Sequence, residues 1–167
     1  VTFPEALGKV HVYDMITKER AMALTSRVDR VMAFAVSPCG EYMFTSGEYN
    51  HDILVWNLTT SVVKARLTGH QARVCCLEAH EDGTLLSGGD DKTCIVWNWK
   101  MESIVRQYSM KRGYGIGKVA YCSNHGVAVV VGNNNPDAVV FPCQNTNKQP
   151  LTLKGPPGGI STLVYNE

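Results

Sequence analysis

Residues Gly69 to Asn98 read GHQARVCCLEAHEDGTLLSGGDDKTCIVWN. Within them lie three short apolar runs, Val74 to Leu77, Thr84 to Ser87 and Cys94 to Trp97. A Gly-containing turn at Glu81-Asp82-Gly83 separates the first two, and Ser87-Gly88-Gly89-Asp90-Asp91 leads to the third. Each run has strand length and carries residues that pack well on a pleated, buried surface, while Gly and Asp supply the turns. The stretch reads as three successive antiparallel strands.

The order Gly69-His70, Ser87-Gly88, Asp91, Thr93 and a strand-closing Trp97 resembles the WD40 repeat, with Asn98 where that family closes on Asp. The order recurs along the chain. Leu67 to Val74 aligns with Leu24 to Val31, and Ser87 to Asn98 aligns without a gap with Ser46 to Asn57. Two extra residues in the earlier copy are assigned to the Ser37-Pro38-Cys39-Gly40 turn. A weaker later copy sets Lys118-Val119 against Arg73-Val74, Gly132 to Asn135 against Gly88 to Asp91, and Phe141-Pro142 against Trp97-Asn98. At the front, Val10 to Asp14 matches Ile53 to Asn57. The aromatic strand ends Tyr13, Trp56, Trp97 and Phe141 are then spaced 43, 41 and 44 residues apart, a repeat architecture.

The resemblance implies an all-β fold, a β-propeller of four-stranded antiparallel blades, three complete and two partial. Two strands of a first blade are expected at 8–14 and 19–24. Complete blades follow at 31–67 (strands 31–36, 41–46, 52–57, 61–67), 73–109 (73–79, 84–88, 93–98, 103–109) and 117–153 (117–122, 127–132, 138–142, 149–153). Residues 160–165 begin a fifth. Stacked blades bury both faces of each sheet, which accounts for near-continuous apolar runs such as Val31 to Val36 and Val127 to Val131. Residues 1–167 are expected to be one segment of a larger propeller, because family rings commonly have about seven blades. The alternative is four-fold closure, with 160–165 joining 8–14 and 19–24 in one blade and a short strand near Val1 to Phe3.

The 167 residues carry 16 basic and 15 acidic side chains, a formal net charge of +1. That balance gives no general attraction to nucleic acid or a membrane surface. No apolar run reaches the ~18 residues of a membrane span, and the start at Val1 has no signal-peptide pattern. The six cysteines lie mostly in apolar runs without C-x-x-C spacing, which favours reduced thiols over disulfides or zinc and points to cytosol or nucleus.

His70, Ser87, Asp91 and Trp97 include the three residue types of a serine hydrolase. The resemblance instead implies a structural chain of hydrogen bonds from indole to Ser, Ser to His and His to Asp, since each polar group inside a sheet needs a partner. No G-x-S-x-G elbow accompanies them. The second blade offers Arg27, Ser46, Asn50 and Trp56, an incomplete set, and the fourth Gly115, Asn135 and Phe141, which cannot form it. Gly113 to Lys118 hints at a phosphate loop, but a strand follows where a helix is required, so it reads as a connection between blades. Asn57-Leu58-Thr59 fits a glycosylation sequon at the WD position and is set aside.

Arg30, Arg73 and Lys118 each precede a first strand in the repeat alignment. In the family, the loops there gather on one rim of the channel, commonly the partner face. Solvated charges are the plain reading. The sharper one is an arc that receives an acidic or phosphorylated peptide, with Gln71, Tyr49, Asp90, Tyr114 and Asn134 as neighbours. The expected function is a non-catalytic protein-interaction scaffold or adaptor, without cofactor, metal, nucleic acid or small-molecule substrate. The alternative is a propeller that regulates or targets a catalytic module outside this chain, such as a kinase, GTPase or ubiquitin ligase.

Overall fold

The structure is a computed structural model that describes residues 8–13, 16–26, 30–110, 115–143, 149–156 and 160. The expected fifth-blade strand after Ile160, the strand near Val1 to Phe3, and the candidates Arg27 and Tyr114 lie outside the described residues. The architecture is nearly all β. Strands β1 (Gly8–Tyr13) and β2 (Arg20–Ser26) form a two-stranded sheet. Three four-stranded antiparallel sheets follow. The first contains β3 (Val31–Val36), β4 (Tyr42–Gly47), β5 (Ile53–Asn57) and β6 (Val62–Leu67). The second contains β7 (Val74–Ala79), β8 (Thr84–Gly89), β9 (Thr93–Asn98) and β10 (Ser103–Ser109). The third contains β11 (Ile116–Cys122), β12 (Val127–Gly132), β13 (Ala138–Pro142) and β14 (Leu151–Leu153), with a short 3-10 turn at Ser123–His125. Strand order equals chain order in every sheet, so each is a meander, and the first strands β3, β7 and β11 lie side by side.

Two turns repeat with the sheets. Between first and second strands, Gly40, Gly83 and Gly126 take φ of 73°, 86° and 58°, a left-handed conformation that a side chain disfavours. Between third and fourth strands, Lys18, Ser61 and Glu102 take φ of 59°, 57° and 52° without glycine. Asn57 and Asn98 hold the latter turns in two blades. Their Oδ1 atoms accept the backbone N–H of Thr60 at 2.9 Å and of Met101 at 3.1 Å. An Asp oxygen would accept equally well, which explains why Asn stands at the closing position of the signature.

Strand alternation sends successive side chains to opposite neighbours. Ile53 and Val55 of β5 pack toward the second four-stranded sheet with Val74, Leu85, Ile95 and Trp97, while Trp56 packs the other way with Leu24 and Met43. In β9, Ile95 and Trp97 face back and Cys94 and Val96 face forward onto Ile116, Tyr121, Val130 and Phe141. Trp56, Trp97 and Phe141 thus each fill the seam with the preceding sheet, whereas Tyr13 is 56% exposed. Among the described residues the preceding sheet has two strands, β1 and β2, and Phe34 of β3 is 63% exposed, whereas Leu77 and Val119 at the same register pack into a seam.

All three first strands bulge at one place. The register slips between Val31 and Ala33, Val74 and Cys76, and Ile116 and Lys118, leaving Met32, Cys75 and Gly117 as the extra residues. Two positions in the sequence alignment move as a result. Val74 answers Val31 and Ile116, so the residue before the strand is Arg30, Arg73 and Gly115, and Lys118 lies inside β11 opposite Val131. Backbone bonds mark the same set: Glu48 N to Arg30 O at 2.9 Å, Asp90 N to Arg73 O at 2.8 Å and Asn133 N to Gly115 O at 2.7 Å. In the first four-stranded sheet the two extra residues divide between the two turns flanking β4, so Thr45, paired with Leu54, takes the place of Ser87, paired with Ile95. Ser46 is one step out of that register and instead donates from Oγ to the carbonyl of Val74, 3.0 Å away in the next sheet.

Gly115 sits where two blades touch backbone to backbone. A Cβ there would lie 2.5 Å from Asp90 Cα and 3.0 Å from Gly89 O. Gly115→Ala is therefore expected to lower unfolding stability by about 2 kcal/mol, because a backbone neighbour has little room to yield. A urea melt checks this; an unchanged midpoint would show that the seam relaxes freely.

Candidate functional site

Between β6 and β7, and between β8 and β9, two loops meet at one end of the second four-stranded sheet. The Nε1–H of Trp97 donates to Ser87 Oγ at 2.8 Å. Ser87 Oγ lies 2.7 Å from His70 Nε2, and His70 Nδ1 lies 2.8 Å from Asp91 Oδ2. The donors assign the tautomer: indole N–H to hydroxyl oxygen, hydroxyl to Nε2, Nδ1–H to carboxylate. Asp91 also accepts the backbone N–H of Gln71 at 2.9 Å and of Thr93 at 3.0 Å. One carboxylate thus ties both loops to the buried indole.

Ser87 is 0% exposed, and its oxygen is enclosed by Trp97 and His70. A nucleophile must reach its substrate, so this trio of residue types has the geometry of a buried brace. Burial pushes the His70 imidazole below its ordinary value near 6.5, against the opposing pull of Asp91.

The other sheets depart from this pattern in pairs. In the first four-stranded sheet, Trp56 Nε1–H donates to Thr45 Oγ1 at 2.8 Å, so the indole is satisfied by a hydroxyl one residue before the expected Ser46. Asn50 and Asn135 occupy the Asp91 place, each accepting a backbone N–H two residues on, from Asp52 at 3.1 Å and Asp137 at 3.0 Å. In the third four-stranded sheet, Phe141 and Val130 stand where Trp97 and Ser87 stand, and both are buried. Donor and acceptor are lost together, which leaves neither unsatisfied.

On the rim, Arg73 donates to Asp90 Oδ2 from Nε at 2.9 Å and from a terminal nitrogen at 2.7 Å. Arg30, 74% exposed, stands 3.9 Å from Glu48. In the third four-stranded sheet the corresponding pair is Gly115 and Asn133, so cation and anion vanish together. The expected arc of three cations is two arginines, each facing a carboxylate, while Lys118 lies inside β11 because the bulge at Gly117 adds a residue to that strand. Gln71 is exposed on the same rim and its amide donates to Gly69 O at 3.1 Å. Tyr49 is 81% exposed, and Asn134 turns the loop after β12 at φ 55°.

The opposite end holds a site that the sequence reading did not single out. A cavity of about 610 Å3 opens between the first two four-stranded sheets, with Cys39, Tyr42, Lys64, Trp99 and Lys100 among its walls. Trp97 and Trp99, two residues apart and both buried, were the available signal.

The His70 brace predicts a pH dependence. With its folded value below 6.5, His70 stays neutral while the unfolded chain takes up a proton, so its contribution is complete above about pH 6.5. Stability falls as pH drops from there toward the lower folded value. Denaturant melts between pH 7.5 and 5 should show this slope, flattened in His70→Asn; equal slopes in both proteins would remove His70 as the cause.

Residues 61–98 match the family model described as WD domain, G-beta repeat. The chain is also similar to Transducin beta-like protein 3 of Rattus norvegicus, 40% identical over 94 residues. The match covers 54% of this chain and 12% of that protein, so the chain spans a small part of the relative's length. The matched residues run from β6 through β9, the third strand of the sheet braced by His70, and are a WD40 repeat; the sheets on either side share its strand order, turns and bulge and fit further blades of a β-propeller.

Proposed function

We propose that this segment is a non-catalytic platform for protein partners, with the rim around Arg30, Arg73 and Gln71 as the docking face. WD40 repeats as a class support a protein-interaction scaffold. The observation that carries the rim is Asp91, whose carboxylate receives Gln71 N–H, His70 and Thr93 N–H and so fixes two exposed loops before any partner arrives. Loops held in advance lose little entropy on binding. Six free cysteines support an intracellular setting.

The ligand proposed for this rim is an acidic or phosphorylated segment. Its oxygens would compete with Glu48 and Asp90 for the arginines, which are already aimed by those carboxylates. Arg73 offers two donors in one plane, suited to a bidentate anion, and Arg30 is held loosely enough to be captured.

Fluorescence anisotropy with arrayed acidic and phosphorylated peptides tests this with opposite-sign variants. Arg30→Glu with Arg73→Glu should weaken binding about tenfold or more, and Glu48→Gln with Asp90→Asn should strengthen it. Equal affinities in both variants would move the partner face elsewhere.

A further inference from the structure

The cleft at the far end of the blades combines features that a merely solvated groove does not need. Its walls come from two blades: the Ser37 to Glu41 turn, Tyr42 and Lys64 from one, His80, Glu81, Trp99 and Lys100 from the next. Trp99 is only 4% exposed, with ring centroids 4.8 Å from Tyr42 and 5.3 Å from Phe44. Its indole N–H finds no acceptor among the described residues. Such a donor costs stability unless a ligand or solvent supplies an acceptor.

Charge surrounds this aromatic floor. Lys64 Nζ stands 4.7 Å from the Tyr42 ring centroid and 5.8 Å from that of Trp99, and Lys100 Nζ stands 5.6 Å from Trp99. Glu41 and Glu81 line the same cavity. Among the described residues, none of these four charges forms an ion pair. Two cations and two anions at the edges of one cavity suit a zwitterion better than a simple anion.

Cys39 lies in the same wall and is exposed. Its Sγ is 3.2 Å from Ser37 Oγ, and Ser37 is itself buried and held by Tyr42 N–H at 3.0 Å. The hydroxyl is thereby fixed beside the sulfur. We propose that this cleft is a thiol-modification site, which seats the disulfide of a small zwitterionic thiol peptide of the glutathione class and transfers one half of it to Cys39.

The exchange is balanced without any further oxidant. Cys39 Sγ, as thiolate, attacks one sulfur of the ligand disulfide; the new S–S bond forms as the old one breaks, and the departing sulfur leaves as a thiolate that takes a proton from water. Cys39 is oxidised and the departing half is reduced. Hydrogen bonds from Ser37 and then from the Glu41 backbone lower the Cys39 thiol from its ordinary value, whereas burial raises Cys75 and pushes Cys76 and Cys143 up to about 12. Reactivity is therefore concentrated at Cys39 among these four thiols.

Incubation with glutathione disulfide, followed by intact-mass and peptide mass spectrometry, tests the site against the uncharged hydroxyethyl disulfide. One glutathionyl adduct is expected, on Cys39, absent in Cys39→Ser. Lys64→Gln with Lys100→Gln should slow the glutathione reaction about fivefold and slow the hydroxyethyl disulfide reaction markedly less, since both lysines are exposed and the second disulfide carries no charge for them to meet. Adducts spread over the cysteines without preference for Cys39 would overturn the proposal. So would equal slowing of both disulfides, which marks a change in the fold or the thiol instead of recognition.

Discussion

Every blade between two others is buried on both faces, and this constraint governs the chemistry inside it. A strand that packs in both directions has no wet side on which to place a polar atom. An indole, hydroxyl or imidazole placed there costs least when it closes a circuit within the protein. Trp97, Ser87, His70 and Asp91 form one such circuit, ending on a carboxylate that can also hold backbone N–H groups. Trp56 with Thr45 is a shorter solution, and Phe141 with Val130 dispenses with polarity altogether. The three blades differ in composition at these positions and agree in leaving no buried half-partner there.

The same pairing rule reaches the rim. Arg30 faces Glu48 and Arg73 faces Asp90, while Gly115 and Asn133 carry no charge. Gly115 lies against the Cα of Asp90, so a long side chain at that position would have to displace the neighbouring blade. Steric demand between blades and charge balance within them thus select the residue before each first strand.

The period was legible in the sequence because Trp56, Trp97 and Phe141 must each fill the seam with the preceding blade, and that need recurs once per repeat. Register within a blade was less so. Thr45 and Ser46 are adjacent hydroxyls, and only the cross-strand partners Leu54 and Ile53 tell which one faces the indole. Lys118 resembled Arg73 because both precede a valine, yet a bulge at Gly117 adds a residue that no side chain announces. The brace at His70 was readable from its residue types, whereas the cleft at Trp99 was not, because its walls are brought together only by the stacking of two blades.

The recurrent bulge has a consequence for how such a surface can vary. At the extra position stand Met32, Cys75 and Gly117, three residues with little in common. Cys75 Sγ touches Asp90 Oδ1 at 3.3 Å, and where Gly117 leaves that space open the Asn133 amide folds into it. A residue outside the ladder is released from the two-face packing that fixes its neighbours, so it can be exchanged together with a single loop partner. Each blade therefore carries one small module of freely adjustable chemistry on an otherwise rigid frame, and successive repeats can diversify there without renegotiating their cores.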